Sequence, residues 1–306
     1  MRLIAILPML AIFIAVASAE QPEPGKWQAT ADVGLNVNQS TYSNSWVGGE
    51  EGSLSWTLVS NLLAERQFTR SLNWRNTLKL TFGQIHREVR DEVDRKEKSW
   101  ASPEKSSDRI FFESLMRLTL GYLVDPYASF TFESQFYDAS HPVVGRFLNP
   151  IMLTESAGVG RTLAKNERLE LYSRLGAAIR EKLDRQVTPA ALDLDESEYD
   201  TDMESSTDGG LEWVTDFKRT FNPSLSYVSK LRVFQAFFSS ASDDFEGLPN
   251  EDYWKTADVA WENTFAAAVA KYVQVSLFFE LLYDKEVELR GRFREILALG
   301  VTYKLL

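Results

Sequence analysis

The last stretch of the chain, Ile296–Leu306, reads ILALGVTYKLL and alternates apolar residues with small or polar ones. This period of two predicts a β-strand. An aromatic residue near the carboxyl end, Tyr303, is typical of a transmembrane barrel, in which rings collect at the membrane interface. A strand with an open edge leaves backbone groups unpaired in hydrocarbon, so a barrel must close on itself. The stretch therefore predicts that the rest of the chain supplies partner strands until the sheet closes.

Alternating segments recur along the whole chain, and together with the last one they number twelve. An even number places both termini on one side, which is the periplasmic side in single-chain bacterial barrels. Short connections alternate with longer, charged ones, as periplasmic turns alternate with surface loops. The sequence thus predicts an all-β fold, a single-chain antiparallel transmembrane β-barrel of about twelve strands with both termini periplasmic. The predicted strands are Lys26–Gln39, Ser53–Ala64, Leu72–Phe82, Ile110–Tyr122, Tyr127–Tyr137, Ile151–Thr162, Arg168–Arg180, Leu211–Lys218, Leu225–Phe237, Trp254–Phe265, Tyr272–Tyr283 and Ile296–Leu306.

Three unpatterned segments are predicted to be connections. Val124–Tyr127 contains an Asp-Pro pair, which favours a tight turn. His86–Ser107 and Glu181–Gly210 are rich in charge and lack periodicity, which indicates long loops. Within the second, Asp193–Asp208 carries many carboxylates and no base, but it lacks the glycine-punctuated ligand spacing of an EF-hand. We predict a solvated acidic loop there, with cation binding left open.

The amino terminus has the composition of a secretory signal. Arg2 precedes the apolar run Leu3–Val16, and Ala17-Ser18-Ala19 offers small residues to a signal peptidase. The sequence thus predicts a signal peptide at 1–19 and a barrel domain at 20–306. Its predicted location is the outer membrane of a Gram-negative-type bacterium, with outer-membrane lipid and the barrel-assembly machinery as partners.

The composition excludes several other functions. The chain has no cysteine and two histidines, so a thiolate site is impossible and a histidine-based metal site is hard to build. Its net charge of −11 argues against nucleic acid, which is bound through Lys and Arg. We therefore predict no catalytic residue, no metal and no cofactor.

With the apolar faces turned toward lipid, charged residues of both signs face the lumen in equal numbers. Such a balance predicts paired charges and a narrow passage, whereas a selective ion pore carries rings of one sign. The predicted function is a non-enzymatic passive channel for small polar solutes, or a structural surface barrel. The predicted lumen residues are the acidic Asp32, Glu113, Glu133, Glu170, Glu212, Asp216, Asp258, Glu262 and Glu280 and the basic Arg75, Lys79, Arg117, Arg174, Arg180, Lys218, Lys230, Arg232 and Lys304.

Two alternatives remain open from the residues alone. An outer-membrane hydrolase of the lipase or esterase type would use a surface-side histidine, and both His86 and His141 fall in predicted loops on the outer side, the second beside Ser140. A secreted or periplasmic soluble barrel that binds a small ligand would also alternate, but its apolar face would point inward. That interior is too small for the tryptophans and phenylalanines of the apolar faces.

Four short motifs stand out: a first-loop group (Asn44, Trp46, Gly48, Gly49 and Glu50), the strand Trp74–Gly83, the run Ser106–Arg109 and the ending Leu299–Lys304. They resemble those of a bacterial family known as domain of unknown function 3078, whose members are uncharacterised outer-membrane β-barrel proteins. The resemblance implies an outer-membrane barrel of no established activity. The chain departs from the family by inserting Ser45 before the tryptophan, by Glu51 in place of an asparagine and by ending in Leu306 rather than an aromatic residue.

Overall fold

The computed structural model describes residues 25–43, 51–90, 98–187, 199–271 and 273–304. Within them, no helix has the length and apolar composition needed to cross a membrane. The predicted signal peptide and the first-loop motif of Asn44, Trp46, Gly48, Gly49 and Glu50 lie outside the described residues. The strands are β1 (Trp27–Ser40), β2 (Ser53–Gln67), β3 (Leu72–Arg90), β4 (Lys98–Trp100), β5 (Glu104–Leu118), β6 (Asp125–Ser134), β7 (Tyr137–Asp138), β8 (Arg146–Phe147), β9 (Ile151–Asn166), β10 (Leu169–Val187), β11 (Thr201–Asn222), β12 (Leu225–Ser239), β13 (Asp258–Ala270), β14 (Val273–Asp284) and β15 (Glu288–Lys304).

The long strands form one closed antiparallel barrel. The small strand β4 pairs only with the far part of β3, and the other twelve strands of the main sheet form a ring. The ring closes where β1 pairs with β15, from Asp32 opposite Lys304 to Asn36 opposite Gly300. The predicted antiparallel twelve-stranded barrel is confirmed.

The two ends of the barrel differ in their connections. Short connections, such as 68–71, 167–168 and 223–224, lie at one end, where β1 begins and β15 ends. We call this the turn end. Apart from the short turn 285–287, the opposite loop end carries the longer connections, and it includes two 3-10 turns, Ser242–Phe245 and Tyr253–Lys255.

Several strands extend farther at the loop end than the sequence pattern predicted. β10 and β11 stay paired up to Val187 opposite Thr201, so the predicted loop over 181–210 is wrong at both of its ends. Where both faces of a hairpin are wet, no alternation marks the strand, and the period-two signal disappears. The predicted turn at Val124–Tyr127 is also displaced, because β6 already begins at Asp125 and the turn spans 119–124.

The outer face of the barrel is apolar and exposed. Large exposed side chains on it include Leu58, Trp213, Trp261 and Leu297, at 40 to 71% exposure. On β6 the outward Phe130 and Phe132 alternate with buried inward polar residues such as Thr131. This orientation is the one the sequence predicts, with the apolar face outward and the polar face enclosed.

Three outward tryptophans, Trp74, Trp213 and Trp261, satisfy their indole N–H groups within the barrel wall. Each donates to a serine hydroxyl on a neighbouring strand, so no unsatisfied donor of these rings faces the apolar surroundings. The pairs are Trp74 with Ser114 at 2.8 Å, Trp213 with Ser173 at 2.9 Å and Trp261 with Ser229 at 3.0 Å.

Candidate functional site: the barrel lumen

A salt bridge spans the lumen from wall to wall. Arg109 on β5 donates to Glu262 on β13 at 2.7 Å, and these strands are six positions apart in either direction around the ring. Lys79 on β3 reaches the same carboxylate at 3.2 Å. Because the bridge joins opposite walls, it divides the lumen into two halves.

The half bounded by β6 and β9–β12 is packed with ion pairs. Glu113 accepts from Arg174 at 2.5 Å and from Lys230 at 2.8 Å, and all three residues are less than 10% exposed. Asp216 lies 3.6 Å from Arg174 and 3.4 Å from Lys230. Charges this deeply buried are stable only when paired and hydrogen-bonded. This half of the lumen is therefore filled by side chains.

A buried aromatic ring, Phe111, lies among the cations of the lumen. The cationic groups of Lys79, Arg109, Lys230 and Arg232 lie 5.1 to 5.6 Å from its centroid, within the range of cation–π attraction. The surrounding carboxylates offset this positive charge. Glu133 accepts from Arg232 and from Arg109, the latter at 3.2 Å, and Glu212 lies 3.7 Å from Arg232.

The half of the lumen bounded by β1 and β2 differs in the burial of its inward side chains. None of the inward residues on these two strands is buried, and Asn38 and Asn61 are exposed. On β10, by contrast, the consecutive inward residues Tyr172, Arg174, Gly176 and Ala178 are all buried. From Thr30 to Asn38 on β1 and from Ser55 to Asn61 on β2, the inward residues are mostly short and uncharged: Thr30, Asp32, Gly34, Asn36, Asn38, Ser55, Thr57, Val59 and Asn61.

Above the bridge, the lumen opens into a cavity of about 400 Å³ toward the loop end. Its wall carries two further charge pairs, Arg180 with Asp258 and Arg294 with Glu280, each at 2.5 Å. Arg292 also lines this cavity. The cavity therefore offers both signs of charge in a small volume.

The remaining predicted lumen residues lie nearer the turn end or outside the central network. Arg75 pairs with Glu65 at 3.2 Å, and the Arg117 guanidinium lies 5.0 Å from the Tyr172 ring centroid. Glu170 lies 4.0 Å from Lys165. Asp32 lies opposite Asn61 on β2 and Lys304 on β15.

Sequence reasoning missed Arg109, Phe111 and Arg294. Arg109 and Arg294 lie just before the predicted starts of their strands. Each lies an even number of residues from the inward-facing residues of its strand, and extending that alternation would have placed both in the lumen. Phe111 was missed because an apolar residue on the polar face breaks the simple alternation. Its role follows only from the cations around it.

The two histidines occupy separate places. His86 was predicted in a loop, but it lies within β3, opposite Leu54 and on the outer face. His141 accepts backbone hydrogen bonds at Nδ1 from Val143 and Val144, at 3.3 and 3.1 Å. The neighbouring Ser140 hydroxyl accepts from Arg146 at 2.6 Å. These contacts give His141 a structural role in its loop.

Part of the acidic run lies outside the described residues, and its portion from Thr201 to Asp208 is paired strand rather than loop, because it continues the β10–β11 hairpin. Within the described ranges, no group of three or more His, Asp or Glu side chains is arranged to hold a metal ion.

The loop-end turn between β14 and β15 carries a pH-sensitive carboxyl. Partial desolvation, reinforced by the nearby Asp208, Asp284 and Asp258, raises the pKa of Glu286 to about 7. A raised carboxyl pKa means that the folded state holds the proton more tightly than the unfolded state. We therefore expect barrel stability to fall as pH rises from about 5 to about 8. The fall should be smaller in Glu286→Gln, as measured by thermal unfolding in detergent across that range, and an identical pH slope in both proteins would contradict the expectation.

Comparison with known proteins finds one family model that matches part of the chain and several solved barrel structures that are similar to it. The model of a family described as "Protein of unknown function (DUF3078)" matches residues 37–139, which confirms the resemblance noted in the sequence. None of the curated proteins matches this chain. An outer membrane channel from Pseudomonas putida F1 is 12% identical, with 95% of this chain and 98% of that chain covered and a TM-score of 0.38. The translocator domain of the autotransporter NalP from Neisseria meningitidis is 9% identical, with coverage of 92% and 90% and a TM-score of 0.39. The β domain of the Bordetella autotransporter BrkA is 12% identical, with coverage of 90% and 97% and a TM-score of 0.33.

Proposed function

We propose that this protein is an outer-membrane β-barrel that acts as a narrow passive channel for small, uncharged polar solutes. The observation that carries the proposal is the division of the lumen by the bridge between Arg109 and Glu262. One half is packed with buried charges, and the other is lined by partly exposed, mostly neutral side chains on β1 and β2. The proposed path follows that second half.

The membrane location is supported by the outer face. A closed barrel with an exposed apolar exterior leaves no open sheet edge, and a large exposed apolar surface marks a membrane or partner contact. The predicted signal peptide and the spanning strands together favour the outer membrane, where bacterial barrels of this kind reside.

The choice of solute follows from the charges. Most lumen carboxylates have cationic partners, so the lumen carries no ring of one sign that would select strongly for cations or anions. Short side chains such as Thr57, Asn36 and Asn61 offer hydrogen bonds without a fixed charge. We propose a non-enzymatic function on the same grounds, with no solute-modifying residue at the path.

A structural surface barrel is the second candidate, and the wall-to-wall bridge favours it. If the neutral half is also closed, the same architecture is a filled and non-conducting scaffold. The absence of any single-channel current from correctly folded protein in a planar bilayer would select this candidate. Likewise, a lipase or esterase activity that is lost in His86→Ala or His141→Ala would contradict the non-enzymatic proposal.

The proposal predicts that a bulky side chain at Asn61 blocks the path. Asn61 faces the lumen directly beside Lys79, which belongs to the dividing bridge. We expect Asn61→Trp to reduce the single-channel conductance by a large factor, and to slow the swelling of liposomes in an isotonic erythritol solution. Planar-bilayer recording and light scattering measure the two effects.

The matched control changes the next residue on the same strand. Ser60 faces outward, so Ser60→Trp adds the same ring to the lipid-facing surface and should leave conductance unchanged. Equal currents from wild type, Asn61→Trp and Ser60→Trp would place the path elsewhere and overturn the proposal as stated.

A further inference from the structure

The outer face near the turn end carries an arginine held among aromatic rings. Trp27, Arg66 and Trp74 lie directly opposite one another on the adjacent strands β1, β2 and β3. The Arg66 guanidinium carbon lies 4.7 Å from the Phe68 ring centroid and 5.8 Å from that of Trp27. The rings also contact each other, with Trp27 and Trp74 at 5.5 Å and Phe68 and Trp74 at 6.0 Å. We call these four residues the Arg66 cluster.

In the part of the chain that the structure describes, the guanidinium of this cluster has no anionic partner. Among the described residues, no carboxylate forms a salt bridge with Arg66, and its buried Nε has no hydrogen-bond partner. Most lumen arginines, by contrast, are paired with carboxylates, as Arg174 is with Glu113. A positive charge directed outward from an apolar wall is costly unless an anion or water meets it.

The position of the cluster fits the headgroup layer of a membrane. Arg66 lies next to the last residue of β2, Phe68 is the first residue of the turn 68–71, and Trp27 and Phe68 are 46% and 39% exposed. Tryptophan rings collect at the level where hydrocarbon meets headgroups, and arginine there extends its charge toward the interface. The exposed Arg70 in the adjacent turn adds a second positive charge at the same corner.

We propose that the Arg66 cluster is a binding site for a glycerophospholipid, with the phosphodiester on the Arg66 guanidinium and the acyl chains on the aromatic rings. Guanidinium matches phosphate oxygens with two parallel hydrogen bonds, which a lysine ammonium does not reproduce. Arg70 strengthens the attraction to the same phosphate. This inference rests on the membrane location proposed above, but it does not require the lumen to conduct.

Native mass spectrometry of the full chain in detergent tests the site, with dioleoylphosphatidylglycerol as the probe. We expect Arg66→Gln to weaken retention of this lipid about tenfold, the loss of a charge-assisted hydrogen bond. The matched control is Arg161→Gln, which removes an exposed arginine from the outer face of β9 and should leave retention unchanged. Equal retention by wild type and Arg66→Gln would overturn the site.

Two further probes identify what is bound. Dioleoylglycerol has the same acyl chains without phosphate, and inorganic phosphate has no chains. We expect neither to be retained as strongly as the phospholipid, and equal retention of dioleoylglycerol, or competition by inorganic phosphate at equal concentration, would overturn the assignment to a phospholipid. If Arg66→Gln fails to fold, Arg66→Lys applies the same test, with partial loss expected because the charge remains and the paired hydrogen bonds do not. If the folded protein gives no single-channel current but still retains the lipid through Arg66, the channel proposal is overturned and this inference stands.

Discussion

Replacing Glu113 with glutamine should lower the free energy of unfolding by about 3–5 kcal/mol, the usual cost of breaking a buried ion pair. Glu113 is the shared acceptor of Arg174 and Lys230, and a neutral amide would leave both cations buried without their closest carboxylate. Asp216 offers incomplete compensation, since its side chain is 39% exposed and more than 3 Å from either cation. Urea unfolding in lipid vesicles, followed by tryptophan fluorescence, measures the loss.

The control for this prediction is Glu170→Gln. Glu170 also faces inward, but its nearest cationic partner is Lys165, at 4.0 Å with both side chains partly exposed. An exposed pair of this kind contributes little, so we expect a change within about 0.5 kcal/mol. Equal destabilisation by the two substitutions would mean that Glu113 stabilises the barrel no more than an exposed carboxylate does.

The fold was predictable from the sequence because a membrane barrel imposes its pattern on every spanning segment. A strand between lipid and lumen must be apolar on one side, so segments such as Leu72–Phe82 show the period directly. The same rule explains the errors. Beyond the membrane both faces of a hairpin meet water, and the extensions of β10 and β11 to Val187 and Thr201 carry no such pattern.

The lumen network was only partly predictable, for a different reason. Parity along a strand tells which residues point inward, and it places Glu113, Lys230 and Glu262 on the inner face. It does not tell which of them meet, because that depends on how close the opposite walls come. The bridge from Arg109 to Glu262 joins residues 153 positions apart in sequence, and no local pattern encodes that distance.

Removing the bridge that divides the lumen should change the conductance. Replacing Arg109 and Glu262 together with serine should raise the single-channel conductance several-fold, because two side chains that join opposite walls are exchanged for short ones and the halves of the lumen become continuous at that level. The exchange removes one charge of each sign, so the net charge is preserved. The control is Lys255→Ser with Asp252→Ser, which removes a pair at 2.5 Å from an exposed loop-end turn and should leave the current unchanged. A double lumen variant that folds and conducts like wild type would show that the bridge does not limit passage. The conductance would then be set by the path along β1 and β2 alone.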